Sequence, residues 1–459
     1  MIKFKFSNYF LIVKTICFLL IFNSSNVFGE KNKNFENAII NALENSSKIK
    51  SAKYLYESKK KLVGNAYSNS DWTSSFTSSY SNNNKLYDHE GSYLNEETNS
   101  NTLSISKNIF DSGVTKSSVS IAKNNVKIEK NNFLLIKQQL ILETVNTYLN
   151  LYKYNKILQL RKTNVDKFSL HVAASKLKLK AGAITPTTVA QAESRLARAE
   201  YQLILAKSER ENYKNEFLSI VGNDFEIENL SLPKDDLRLP KNLNQAISLA
   251  LKNNPLILNS KINKNTALLK QNKQIFLNKP TLDIDFNYKT SESSSTSSSN
   301  DFSSYGTVLK FKTPLFYKQS EKHLILSLND EYNSHLQDEK EVIRKVKLNV
   351  SSAFNDYKNS FLNTIAVVKE IKAAKLALQG VKKEEEFGIR TLLDVLDNEV
   401  DVIDAEVNLL KSKSNEVLKK FNLKLAIGTL RISDVVKDFK IKYPEKDIFE
   451  IPSIIQFSN

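Results

Sequence analysis

From residue 114 to residue 181 the chain contains neither glycine nor proline. These two residues are the strongest breakers of helical structure. A run of this length therefore predicts one uninterrupted helix, about 100 Å long at about 1.5 Å per residue. No compact domain can enclose such a rod, so the chain must belong to an elongated architecture. Leu135, Leu142, Val145, Leu149 and Tyr152 follow seven-, three- and four-residue steps along it, the seam of a coiled coil. With only 10 glycines and 8 prolines in 459 residues, the rest of the chain must also make few turns and long elements.

The chain is a tandem repeat. "NFENAIINALENSSKIKSAK" at 34–53 matches "NLNQAISLALKNNPLILNSK" at 242–261, an offset of 208. Gly182 and Gly388, Thr185 and Thr391, Glu193 and Glu399, and Gly222 and Gly428 are each 206 apart. "LPKDDLRLPKN", with Pro233 and Pro240, links the copies. After Gly182 a second helix has Val189, Leu196 and Leu203 every seven residues, beside Ala192, Ala199 and Ala206. The second copy has Val395, Val402 and Leu409, beside Asn398, Ala405 and Ser412. Small residues at alternate seam positions let neighbouring helices approach closely.

Ahead of each long helix the pattern changes period. "TLDIDFNY" at 281–288 alternates, with Leu282, Ile284, Phe286 and Tyr288 on one side and Asp283, Asp285 and Asn287 on the other. Tyr305, Thr307, Leu309 and Phe311 share a face of the next strand; Trp72, Phe76 and Tyr80, and then Leu103 and Ile105, do so in the first copy. Loops of serine and asparagine are expected at 81–99 and 291–301. Residues 30–236 are thus expected as repeat one: a helix, a hairpin at about 69–110, and long helices at about 114–222. Residues 237–440 form repeat two: a helix, a hairpin at about 281–313, and long helices at about 318–428. Residues 441–459 form a tail.

Four strands with one apolar side cannot close a barrel alone, and an open edge is not tolerated in lipid. Apolar-out, polar-in alternation is the signature of an outer-membrane barrel, closed here by several chains. The same alternation also fits a soluble antiparallel patch.

Residues 1–29 read as a signal peptide. Lys3, Lys5 and Lys14 precede or interrupt the apolar run "FLIVKTICFLLIF", and Val27 and Gly29 sit at the −3 and −1 positions. Removing this segment, with three lysines and no acid, lowers the formal charge from +16 to +13. It also removes Cys17, the only cysteine, so neither a disulfide nor a thiolate metal site is expected. The basic balance is read as solvated surface, with no nucleic-acid partner. His89, His171, His323 and His335 lack metal-ligand spacing and are expected to face solvent. Phosphate-loop, dinucleotide and nucleophile-elbow motifs are absent, and "AIGTL" at 426–430 reads as a helix C-cap. No enzyme activity and no cofactor is expected.

One stretch runs against the bulk charge. Between 384 and 406 lie nine acids, with Arg390 the only base. Asp394 and Asp397, at i and i+3, share a helical face, which Asp401 and Asp404 extend. By the repeat, Asp394 falls on Thr188, Asp397 on Gln191 and Arg390 on Ile184, so the acids belong to one copy only.

These residues together resemble the TolC family of outer-membrane efflux and secretion channels over nearly the whole mature chain. The motifs that carry the resemblance are the paired "AI.NAL.N"-like openings, "LSISKNIFDSG" and "LKFKTPLF" before the long helices, and "AGAITPTTVAQAESRLARAEYQL". The sharpest is "GIRTLLDVLDNEVDVIDAE". The resemblance implies a mainly helical homotrimer: a twelve-stranded outer-membrane barrel continued by a twelve-helix periplasmic tunnel. It implies that Ala181, Gly182, Ala183, Phe387, Gly388 and Ile389 are tips that dock a periplasmic adaptor protein linked to an inner-membrane pump, of ABC or RND type. It further implies that Asp394 and Asp397 ring the tunnel entrance, with Arg390 helping to hold it closed. The chain departs from the family pattern at Thr188 and at Glu385, which the family fills with aspartate and tyrosine. Arg390 is left Glu385 or Thr187 as partner. A trimeric ring of carboxylates would attract cations and raise some carboxylate pKa values.

Two functions fit: a passive trimeric exit duct, for type I protein secretion or drug efflux, and an exported coiled-coil scaffold or adhesin that does not conduct.

Overall fold

The computed structural model describes residues 34–87, 92–233, 237–295, 299–316 and 318–436. The signal peptide, His89 and the 441–459 tail lie outside these residues. Each repeat has two short helices, a strand pair and two long helices. The first repeat has α1 (34–45), α2 (Ser47–Tyr67), β1 (Thr73–Tyr87), β2 (Ser92–Phe110), α3 (Val114–Lys180) and α4 (Pro186–Val221). The second has α5 (Leu243–Asn253), α6 (Pro255–Leu277), β3 (Thr281–Ser295), β4 (Ser299–Lys312), α7 (Gln319–Glu386) and α8 (Leu392–Ile427).

The opening helix of each repeat, expected as one, is broken in two. In the second repeat Pro255 forces Asn254 into extended backbone (φ −68, ψ 121), ending α5 and opening α6. In the first, Ser46 makes the break, and its hydroxyl accepts from the Ile49 N–H at 3.4 Å. The helix α5 starts with a side-chain cap at Asn242. The Asn242 side chain accepts from the Gln245 N–H at 2.8 Å, and the Gln245 side chain accepts from the Lys241 N–H at 2.8 Å.

The chain divides into two compact units that cut across the repeats. The first holds α1, α4, α5, α8 and the portions of α3 and α7 that adjoin the turns between the long helices. Its main core gathers Phe35, Tyr148, Phe217 and Phe421, with rings edge-on at 5.0–6.2 Å. The Tyr148 hydroxyl donates to the Ser231 carbonyl at 3.0 Å, and burial pushes its pKa up to about 12. Nearer the turns, Phe168 and Val172 of α3 pack on Ala192 and Ala199 of α4 and Leu396 of α8. The seven-residue alanine row is therefore a close-packing surface, with Ala192, Ala199 and Ala206 all buried.

The second unit holds the sheet, in the order β1-β2-β3-β4, antiparallel throughout. Register places Phe76 opposite Leu103, Leu103 opposite Tyr288, and Tyr288 opposite Tyr305, one continuous apolar face. Phe76, Tyr305, Leu309 and Phe311 on it are 62–82% exposed. The opposite face is mainly polar and internally bonded, with Phe302 and Val308 as apolar members on β4. Ser104 donates to Asn287 at 2.7 Å, Asn108 to Asp283 at 2.7 Å, and Lys310 pairs with Asp285 at 2.6 Å. The strands run further than expected. Most of the serine- and asparagine-rich 81–99 and 291–301 is strand, because ladder pairing continues through it (Asn84 with Asn95, Ser294 with Ser299). Serine and asparagine weaken a strand locally, but a neighbouring ladder overrides that preference.

Candidate functional site

The two turns between the long helices are built alike, each by one glycine and one threonine. At Gly182 (φ +71) the N–H of Gly182 bonds the Leu179 carbonyl and the N–H of Ala183 bonds that of Lys178. At Gly388 (φ +74) the N–H of Gly388 bonds the Glu385 carbonyl and the N–H of Ile389 bonds that of Glu384. Both are Schellman closures, which require the left-handed backbone that glycine adopts without strain. Three residues later a threonine starts the next helix. Thr185 accepts from the Thr188 N–H at 3.4 Å, and Thr391 from the Asp394 N–H at 3.3 Å.

The turns match in backbone and differ in side chains. The first presents the exposed Ala181, Gly182 and Ala183 after Lys178 and Lys180. The second presents Phe387 and Ile389, 80% and 72% exposed, after Glu384, Glu385 and Glu386.

Each acid of the expected ring has a defined partner. Asp394 closes a capping box: its carboxylate accepts from the Thr391 N–H at 2.9 Å and hydroxyl at 2.8 Å. These bonds, with the Arg390 charge as a smaller cause, hold its carboxyl below the usual range. Asp397 pairs with Arg195 of α4 at 2.7 Å. Arg390 pairs with Glu384 at 3.1 Å rather than with Glu385 or Thr187. Glu385 instead pairs with Lys178, from the first turn, at 3.5 Å. Thr187 is exposed, while Thr188 sits in the cap position that Asp394 fills in the other copy, its hydroxyl 3.2 Å from that of Thr185. Asp404 pairs with Arg161 of α3 at 2.9 Å, and Asp401 is exposed.

Sequence reasoning passed over the most buried charge in this region. The side chain of Glu399 is 4% exposed and bridges three helices, meeting Lys382 of α7 at 2.6 Å and His171 of α3 at 3.2 Å. Burial pushes its carboxyl up, but the His171 and Lys382 bonds and the Lys382 charge outweigh that, leaving a value of about 2. His171 is therefore packed against a carboxylate rather than facing solvent. The signal was available in the repeat. Lys176 and Glu193 lie 206 residues before Lys382 and Glu399, and they form the same bridge at 2.8 Å. There both side chains are about half exposed, at 56% and 49%. Among the described residues, no group of three or more His, Cys, Asp or Glu is placed to hold a metal ion, and no helix is long and apolar enough to cross a membrane.

Comparison with known proteins agrees with this arrangement of helices and strands. The model of the "Outer membrane efflux protein" family matches residues 39–223 and 246–429, one segment in each repeat. BepC of Brucella suis, an outer membrane efflux protein, is 25% identical over 297 residues, 64% of this chain and 64% of that one. The chain thus matches less than two thirds of that relative's length. TolC of Escherichia coli, an outer membrane protein, is 22% identical over 368 residues, 75% of this chain and 72% of that one. The Campylobacter jejuni CmeC outer membrane channel superposes with a TM-score of 0.72 at 16% identity, covering 86% of each chain. With a tandem repeat of strand pair and long helices, matched by the family model in both halves, the chain belongs to the outer membrane efflux protein family and is a protein of the outer membrane.

Proposed function

We propose that three copies of this chain form an exit duct, with a twelve-stranded barrel in the outer membrane continued by a helical tunnel into the periplasm. The observation that carries this reading is the sheet. Among the described residues it has four strands, an exposed aromatic face, a mainly polar hydrogen-bonded face, and one edge each on β1 and β4 without a strand neighbour. An open edge in lipid leaves backbone groups unsatisfied at several kcal/mol each, so edge-to-edge closure between copies is the solution that satisfies them. Apolar residues then face lipid, and Asp283, Asp285 and Asn287 face the lumen. The turns at Gly182 and Gly388 become the tips that dock a periplasmic adaptor bound to an ABC- or RND-type inner-membrane pump. Asp394 and Asp397 face the entrance, and Arg390, Glu385, Thr187 and Thr188 belong to the gate that closes it. The duct itself performs no chemistry.

The test is direct. Full-length protein in the outer-membrane fraction should migrate as a heat-modifiable trimer and give single-channel conductance in planar bilayers. A soluble, non-conducting rod would refute the duct and support a scaffold or adhesin. Deleting the gene and assaying both protein export and drug sensitivity then assigns the cargo.

A further inference from the structure

The second unit contains a cleft where strands give way to helices. The helix α6 ends at Leu277 and α7 begins at Gln319, with β3 and β4 between them. A cavity of about 370 Å³ opens between these two helix ends. Ile275, Ile325 and Leu326 form an apolar wall, and Lys279, Lys318 and Lys322 line it beside a single acid, Glu321. Among the described residues none of the three ammonium groups is paired with a carboxylate. The apolar face of the sheet ends close by in the chain, at Leu282 paired with Phe311. Between β4 and this cleft, Leu315 and Phe316 are 82% and 92% exposed.

Three cations against one anion, beside an apolar wall and with two exposed apolar residues just ahead of Lys318 in the chain, is the complement of an anionic amphiphile. We propose that this cleft binds one anionic phospholipid of the leaflet adjoining the helices. The phosphate lies among Lys279, Lys318 and Lys322, and an acyl chain runs along Leu326 towards Phe316 and the face bearing Phe311. The volume is at the small end of ligand pockets, room for a headgroup but not a whole lipid, so the chains must lie outside on the apolar step. A small soluble anion would use the lysines and leave Leu315 and Phe316 uncovered. A second copy of this chain would have to bring carboxylates to three lysines. The position suits a lipid because strand ends mark the headgroup level, where lysines meet phosphates and each is worth about fivefold in affinity. The inference rests on the apolar face of the sheet meeting lipid, as proposed above.

Native mass spectrometry of the full-length protein, extracted in non-ionic detergent and titrated with dioleoylphosphatidylglycerol, reads this out. One lipid should be retained per chain. K279E/K318E/K322E should weaken retention by about a hundredfold, from about fivefold per lysine. Reversing the exposed Lys162 and Lys167 of α3 should leave it unchanged. Undiminished retention in the triple variant overturns the inference. So does displacement by glycerol 1-phosphate at the concentration of the lipid, which would make the cleft an anion site. Protection of the three lysines from a water-soluble acylating reagent in lipid-free detergent also overturns it, because a second copy would then cover them. Conductance of the wild type without a retained lipid overturns this inference alone, whereas failure to enter bilayers overturns the duct.

Discussion

Replacing Glu399 by glutamine should destabilise the turn region far more than the same change at Glu193, although the two glutamates make the same bridge in the two repeats. Glu399 is 4% exposed and holds both Lys382 and His171. Its carboxyl falls from an ordinary 4.5 to about 2 on folding. At about 1.4 kcal/mol per pH unit, that preference for the charged form is worth about 3 kcal/mol. Glutamine keeps the shape but not the charge, and it leaves Lys382 without its anion. The expected loss is about 2–3 kcal/mol, near the lower edge of what breaking a buried pair costs because Lys382 reaches water. The pair Lys176–Glu193, about half exposed on both sides, should be worth less than about 1 kcal/mol.

Hydrogen exchange on the full-length protein separates the two. Amides of residues 392–403 should exchange about thirty- to a hundredfold faster in E399Q, and those of residues 186–197 less than about fivefold faster in E193Q. The pH dependence has a fixed sign. The folded value lies below the ordinary one, so the Glu399 contribution is complete above about 4.5 and is lost as pH falls towards about 2. E399Q should abolish that acid loss of protection around α8. Equal effects of E399Q and E193Q, or wild-type exchange in E399Q, would refute the argument that burial decides the strength of the bridge.

The turn acids should separate by their partners. In bilayer recordings D394A/D397A should lower cation selectivity and weaken block by multivalent cations, whereas R195A, which frees Asp397, should raise cation selectivity. Unchanged selectivity in D394A/D397A would remove both residues from the entrance. The glycines should separate by their surroundings. At Gly388 an added Cβ meets nothing within 4 Å, so G388A should cost only the strain of φ +74, about 1 kcal/mol. At Gly428 the Cβ would lie 2.6 Å from the Asn254 Cα and 2.8 Å from the Pro255 Cδ, so G428A should cost about 3 kcal/mol. Denaturation midpoints in detergent, followed by circular dichroism, would check the order. A G388A cost equal to that of G428A would refute it.

Much of the architecture is local and therefore legible in the sequence. An α-helix needs only a run without breakers, and α3 fills the segment 114–180 where none occurs. Strand alternation is equally local, and Leu282, Ile284, Phe286 and Tyr288 share a face as their spacing requires. The Thr391–Asp394 cap was legible too, since threonine followed three residues later by an acid is a helix-start signal. The acidic stripe drew attention to itself as charge and hid that simpler role.

What the tertiary structure alone decided is how the charges pair and which are buried. Asp397 with Arg195, Asp404 with Arg161, and Glu399 with His171 join residues about 200 or more apart in sequence, and each pair depends on the rotation of two separate helices. Lys176–Glu193 and Lys382–Glu399 are the same spacing on the same kind of helix pair. They differ because α3 lays His171 against Glu399 of α8, whereas the Lys176–Glu193 bridge stays open to solvent. Periodicity specifies which residues share a face, but only packing specifies what that face meets, and the strength of a charge pair depends on the latter.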